Sequence, residues 1–249
     1  MRRKIDIGGI YKDYICLFCY IKERRKMIIE EISINSKEYP QKLRNIYDPP
    51  KKIYVLGNKE LLNKFGIAIV GSRQATQYGK MNAYNIAKEL SRNGVVIISG
   101  LAVGIDSYSH LGAIKAFDMN CNSAGTVAVL GSGIDNIYPK ENIELAKNII
   151  KSGGCMISEY PIGTKPERLH FPQRNRIISG ISNGVLVVEA TKKSGALITA
   201  DFAIEQGKDV YAIPGDINRK ESEGCNELIK DGAILVTSYK EILENCIEK

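Results

Sequence analysis

Tryptophan is absent, and histidine occurs only twice, as His110 and His170. Chemistry built on imidazole bases or imidazole metal ligands therefore has almost no candidates. No Ser-His-Asp grouping is evident, and catalytic residues are expected to be none. No G-x-x-x-x-G-K-[ST] phosphate loop occurs either, so ATP hydrolysis lacks its usual cradle. Long apolar runs are missing. Tyr14 to Ile21 is the longest early one and falls far short of the roughly 20 residues that span a bilayer. It follows Met1-Arg2-Arg3-Lys4 as a signal-peptide core would, but Lys22-Glu23-Arg24-Arg25-Lys26 stands where a small-residue cleavage site belongs. The reading is a cytoplasmic protein with no membrane partner. Of the six cysteines, only Cys16 and Cys19 have C-x-x-C spacing, and no second pair completes a zinc site. Their apolar neighbours Leu17, Phe18 and Tyr20 point to burial on a short helix. No metal or cofactor is expected, and the thiols should be free.

The 249 residues carry 44% apolar and 25% charged side chains, ordinary for one α/β domain with a modest appendage. A net charge of +7 and a pI of about 9.0 favour a polyanionic partner, although a Lys- and Ile-rich composition alone gives the same sign. Residues 1–60 alternate charged and apolar positions at helical spacing from Tyr11 to Ile32. Tyr39-Pro40 and Asp48-Pro49-Pro50 then punctuate the chain as turns. A short helical segment and linker are expected there, with the main domain over 61–249.

From Gly66 the pattern changes. Apolar runs at 67–70, 95–98, 126–130, 156–157, 185–188 and 210–213 alternate with helical periodicity at 80–92, 107–116, 141–151, 174–181 and 196–206. Short strands that are apolar throughout are buried on both faces. Interleaved with helices, they predict a doubly wound, Rossmann-like and mainly parallel α/β sheet. Several strands end in Gly-rich loops at the carboxyl edge, where such sheets bind ligands.

Those loops carry the candidate site. Gly71-Ser72-Arg73 offers a tight turn, a hydroxyl and a forked donor for phosphate; a plain turn with a surface arginine reads equally well. Ser99-Gly100-Leu101-Ala102-Val103-Gly104-Ile105-Asp106 lets backbone amides approach a ligand, with Asp106 expected to cap the following helix and His110 to be an ordinary hydrogen-bonded histidine. Gly131-Ser132-Gly133-Ile134-Asp135-Asn136 starts like a dinucleotide fingerprint but lacks its last glycine, so NAD is not expected. Glu189, at a strand end, either receives a hydrogen bond from a ligand or pairs with a neighbouring cation, and the second is the expectation.

The richest stretch is Lys165-Pro166-Glu167-Arg168-Leu169-His170-Phe171-Pro172-Gln173-Arg174-Asn175-Arg176. Cations around an aromatic ring and an amide suit single-stranded nucleic acid, whose phosphates need charge and whose splayed bases need a stacking partner. The alternative is a solvated loop with Phe171 packed inward. Thr191-Lys192-Lys193-Ser194-Gly195 adds another basic helix start.

Taken together, Gly71-Ser72-Arg73, the 99–106 loop, Leu130-Gly131-Ser132-Gly133, Ser158-Glu159-Tyr160-Pro161 and Phe171-Pro172-Gln173-Arg174-Asn175-Arg176-Ile177-Ile178-Ser179-Gly180 resemble the DprA/Smf (DNA-processing) family in type and order. So do Lys193-Ser194-Gly195-Ala196-Leu197-Ile198-Thr199-Ala200, Ile213-Pro214-Gly215 and the segment from Gly224 to Ala233. The likeness covers about residues 39–236. It implies an extended Rossmann-like domain that binds single-stranded DNA, forms a homodimer and loads RecA during natural transformation, without enzymatic chemistry. Carried over residue by residue, it implies DNA contacts from Arg73, Arg174, Asn175, Arg176 and Lys193. Phe171 would line a base pocket, and Gly71, Ser72 and Ser194 would supply loop or hydroxyl contacts. Longer members carry a helical N-terminal domain and often a C-terminal winged helix; here the first segment is expected to be shorter and no winged helix is expected. The competing enzyme reading is a nucleotide phosphoribohydrolase of the lysine-decarboxylase-like type. Its P-G-G-x-G-T signature is broken by Pro214-Gly215-Asp216-Ile217.

Overall fold

The computed structural model describes residues 28–120 and 123–247. The expected helix around Tyr11 and the Cys16–Cys19 pair lie outside the described residues. Nine strands form one sheet in the order β1-β2-β6-β5-β4-β3-β7-β8-β9. They are β1 (Glu30–Ser33), β2 (Lys52–Gly57), β3 (Gly66–Val70), β4 (Val96–Ser99), β5 (Thr126–Leu130), β6 (Cys155–Ser158), β7 (Gly184–Val187), β8 (Asp209–Ala212) and β9 (Ile234–Leu235). From β6 to β9 every neighbouring pair is parallel, whereas β1–β2 and β2–β6 are antiparallel. This is the Rossmann-like, mainly parallel sheet the strand pattern predicts.

The expected helix-and-linker reading fails over residues 30–57, which supply β1 and β2. Helical spacing through Ile32 misleads because β1 is an edge strand of only four residues. Ile32 is buried on it, while Glu31 ties to Lys52 of β2 at 2.7 Å. The proline-flanked stretch before β2 holds a short helix, α1 (Gln41–Arg44), which buries Leu43.

The remaining helices are α2 (Gln77–Arg92), α3 (Ile105–Met119), α4 (Ile143–Lys151), α5 (His170–Ile181), α6 (Gly195–Glu205), α7 (Lys220–Lys230) and α8 (Tyr239–Ile247). Strand alternation sorts them between two layers. On β3, Ala68 and Val70 join Ile177, Ile178 and Ile181 of α5 and Ala200 and Ala203 of α6 on one face. Ile67 and Ile69 face Ala83, Ile86 and Leu90 of α2 on the other. Both sets are apolar because both faces are covered.

Local chemistry sets the helix starts. Thr76 caps α2, its hydroxyl accepting from the Gly79 amide, and Ser194 caps α6 through the Ala196 amide. Pro172 falls in the first turn of α5, where a missing amide proton is tolerated.

Strand order reverses at β3. From there the chain builds β4, β5 and β6 to one side and β7, β8 and β9 to the other. The junction of β3 and β7 is therefore the topological switch point, the usual crevice for a ligand in an open α/β sheet.

Candidate nucleic-acid interface

The loops after β3 and β4 are tied together first. Ser72 uses its amide on the Glu189 carbonyl at 2.7 Å, and its carbonyl accepts from the Ile105 amide at 3.2 Å. Its hydroxyl accepts from the Gln74 amide at 3.1 Å. Gly104, at φ 83°, is where the second loop crosses the first; a Cβ there would fall 2.3 Å from the Ser72 carbonyl oxygen. Gly71 is half-buried beneath the same crossing, against Ile105. Gly71 and Ser72 thus shape the loop, and Arg73 is left exposed beyond them.

Asp106 departs from its expected role. The cap position of α3 is Gly104, and the Asp106 carboxylate reaches back to accept from the Gly100 amide at 3.2 Å and the Ala102 amide at 3.3 Å. It braces the loop before the helix. Burial pushes this carboxyl up, and the Arg174 guanidinium opposes that shift. His110 behaves as expected: it is buried, 2.7 Å from the Thr126 hydroxyl, with burial holding its pKa down to about 3.

Glu189 also departs from expectation. It pairs with no cation among the described residues but accepts from the Thr76 amide at 2.8 Å and the Thr76 hydroxyl at 2.6 Å. At the switch point, the chain's own carboxylate sits on the start of α2, where a bound phosphate would otherwise go.

One step along the sheet, the start of α5 meets the ends of β4 and β5. The Phe171 ring lies over Gly131, with the Arg73 guanidinium 5.5 Å from its centroid and the Tyr138 ring 5.4 Å away. Beside it, His170 stacks on Tyr160 at 4.0 Å between centroids, and the Tyr160 hydroxyl donates to Gln173 at 3.1 Å. Arg73, Phe171, Tyr138, Pro139, Val103 and Arg174 line much of a pocket of about 70 Å³. Tyr138 remains 45% exposed, so one ring stays open to a ligand. Composition hides this group: Tyr138, Tyr160 and His170 sit in separate segments and meet only because β5, β6 and α5 converge.

The other expected contacts sit differently. Arg174 is 4% exposed, and its Nη1 donates to the carbonyls of Gly100, at 2.6 Å, and Val129. Asn175 is buried, and its amide donates to the Gly195 carbonyl at 3.2 Å, joining α5 to the start of α6. Arg176 is drawn out of the group. Its guanidinium grips Glu159 through both nitrogens at 2.9 and 2.7 Å and reaches Asp48 at 3.2 Å. Ser194 caps α6, which engages its hydroxyl. Lys192 and Lys193 are exposed at a cleft of about 390 Å³ between α6 and α7, with Leu197, Asp201 and Leu228 in its walls. The structure therefore brings Arg73, Phe171 and Arg174 into one pocket. It sets Lys193 and Ser194 on the adjoining loop, and gives Asn175 and Arg176 internal partners.

These features define a class: a Rossmann-like α/β protein with the dinucleotide crevice closed and a cationic, aromatic pocket opened beside it. Comparison with known proteins narrows the class. Residues 30–247 match the family model of DNA recombination-mediator protein A, and the chain belongs to that family. It is 45% identical to the DNA processing protein DprA of Bacillus subtilis, over 90% of this chain and 74% of that one. It is 44% identical to the Smf protein of Escherichia coli, over 86% of this chain and 56% of that one. Among solved structures, DprA of Streptococcus pneumoniae superposes with a TM-score of 0.80 at 42% identity, covering 90% of this chain and 75% of that one. DprA of Helicobacter pylori, described in terms of its single-stranded DNA binding mode, superposes at 0.76 and 30% identity, covering 88% and 96%. A molybdenum cofactor binding protein of Rippkaea orientalis shares the fold alone, at 20% identity and a TM-score of 0.51. Among the described residues, no helix is long and apolar enough to cross a membrane.

Proposed function

We propose that this protein binds single-stranded DNA along the carboxyl edge of its sheet and acts by binding, making and breaking no bonds. The observation that carries the reading is the pocket where Arg73, without an ion pair among the described residues, stands over Phe171 beside the open Tyr138 ring. Cations next to accessible rings suit phosphates interleaved with unstacked bases. The exposed Lys192 and Lys193 extend the positive edge past α6. The Helicobacter pylori relative, described as a single-stranded DNA binder, supports the same reading.

Fluorescence anisotropy with single- and double-stranded oligonucleotides tests it. Single strands should bind more tightly, and affinity should fall with salt at a log–log slope of about −0.7 per phosphate neutralised. Equal retention on a neutral resin, or a salt-independent affinity, would count against it. Homodimerisation and the loading of RecA onto the bound strand are the further steps we infer from family membership. Sedimentation of the protein alone, and capture of RecA by the protein–strand complex but not by the strand-free protein, test these in turn.

A further inference from the structure

The loop of residues 131–142, between β5 and α4, is fixed from within. The Ser132 hydroxyl donates to the Asn136 carbonyl at 2.6 Å, and the Asn136 amide donates to the Gly133 carbonyl at 2.8 Å. The Asn142 amide donates to the Pro139 carbonyl at 3.1 Å. Ile134 and Ile137 are buried with Leu130, Leu145 and Ile149, which anchors the loop to the core. Tyr138, next to the second anchor, is turned outward and stays exposed. A ring held out on a braced loop gives up little freedom when a flat ligand covers it.

The other rings of the site are already engaged. Phe171 lies against Gly131, where a Cβ would fall 3.0 Å from the ring, and the Arg73 guanidinium sits 5.5 Å from its centroid. His170 and Tyr160 stack on each other. Tyr138 meets Phe171 at a tilt of 44°, a contact that leaves much of its own ring uncovered. Val103 and Pro139 continue the apolar surface on the pocket side. The pocket holds about 70 Å³, far below the volume of an enclosing ligand site. A base therefore lies across the mouth, against a ring, instead of entering. Arg73 and Tyr138 both lie within 5.5 Å of the Phe171 centroid, so a phosphate held by Arg73 brings the adjoining base within reach of Tyr138.

We propose that Tyr138 is a stacking platform for one base of the bound strand, with Phe171 as its backing wall. This rests on the single-strand reading and adds a residue that the family likeness leaves without a role. A ring face accepts any base, so the contact favours unpaired bases over paired ones without selecting sequence. A duplex, whose bases are stacked inside, gains nothing from it.

The test uses the full chain and oligothymidylate. The chain has no tryptophan, so Tyr138→Trp puts a sole indole at the platform while keeping an aromatic ring there. Oligothymidylate should quench its emission on binding, and a strand of the same length built from abasic sites should quench it little. Ile204→Trp, exposed near the far end of α6, is the control and should stay unquenched. Tyr138→Ala should weaken oligothymidylate binding about five- to a hundredfold, and Tyr138→Phe should bind as the wild type does. On the abasic strand the Tyr138→Ala penalty should vanish, which a loss of folding would not produce. An unchanged Tyr138→Ala affinity, or equal quenching at positions 138 and 204, overturns the platform and leaves single-strand binding intact. Failure of the wild type to bind oligothymidylate overturns both.

Discussion

The family likeness implies a DNA contact from Arg176, while in the structure its guanidinium pairs with Glu159 and Asp48, and substituting it separates the two roles. Replace Arg176 by Met. The wild-type side chain is 12% exposed, its partner Glu159 16%, and they meet through two bonds at 2.9 and 2.7 Å. An exposed ion pair contributes about 0.2–1 kcal/mol, whereas breaking a buried one costs about 3–5 kcal/mol because one charge is stranded. With both partners largely covered, the loss should fall near the buried limit, about 2–4 kcal/mol. That corresponds to roughly 1 M in the urea midpoint. Arg176→Met with Glu159→Leu should recover much of the loss, giving a coupling energy of about 1–3 kcal/mol in the double-mutant cycle. Asp48, 73% exposed, should matter little: Asp48→Ala should cost under about 1 kcal/mol. Salt titration of single-strand binding gives the second readout. Folded Arg176→Met should keep the wild-type slope, while Arg73→Ala should flatten it by about 0.7. An Arg176→Met protein as stable as wild type but with a flatter slope would refute this reasoning and return Arg176 to the DNA.

Phe171→Ala should weaken single-strand binding by about 1–3 kcal/mol in anisotropy titrations if a base stacks there; an unchanged affinity would make the ring purely structural. Gly100→Ala would set a Cβ 2.5 Å from the Arg174 guanidinium, so thermal melting should show destabilisation, and normal stability would mean that Arg174 moves freely. Burial lowers Lys208 to a pKa of about 7 and Lys42 to about 8 from 10.5. The folded state then holds fewer protons than the unfolded chain from about pH 7 upward, so urea midpoints should rise between pH 7 and about 8.5, below the range where the buried Cys155 and Cys225 thiols, raised by burial, act in the opposite sense. Lys208→Met should reduce the rise, and a flat or falling profile in the wild type would contradict it.

Much of the fold is legible because the parallel core speaks through composition. Val127 to Leu130 reads as a strand because a strand covered on both sides is almost continuously apolar, and the one hydroxyl of β5, on Thr126, donates to the Ile97 carbonyl. The edges are silent by the same logic. β1 and β9 have four and two residues, too few for a period to register, and β9 has one neighbour on the sheet. In the site, chain-adjacent residues proved easy to find and hard to assign. Arg174, Asn175 and Arg176 look alike as a polar run, yet one helical turn spreads them about 100° apart per residue. One lines the pocket, one joins α6 and one faces Glu159. A run of cations fixes the element but not the direction of each side chain.

The carboxylate of Glu189 explains why the pocket lies off the switch point. In a dinucleotide-binding sheet, the pyrophosphate rests on amides at the start of the first crossover helix. Here that start is α2, and Glu189, from the end of the neighbouring β7, accepts from the Thr76 amide and hydroxyl. A Cβ at Gly79 would fall 2.5 Å from the same carboxylate, so no side chain could share the space. A phosphate brought there would meet a like charge instead of free donors, which excludes it from the crevice. The exposed guanidinium of Arg73 lies one strand over toward β4 and β5, where the loop crossing at Gly104 and the rings of Phe171 and Tyr138 gather. An internal anion at the ordinary site thus disfavours a diphosphate on that helix end and leaves, beside it, a surface of rings and an exposed guanidinium group. That surface suits a strand whose bases are exposed.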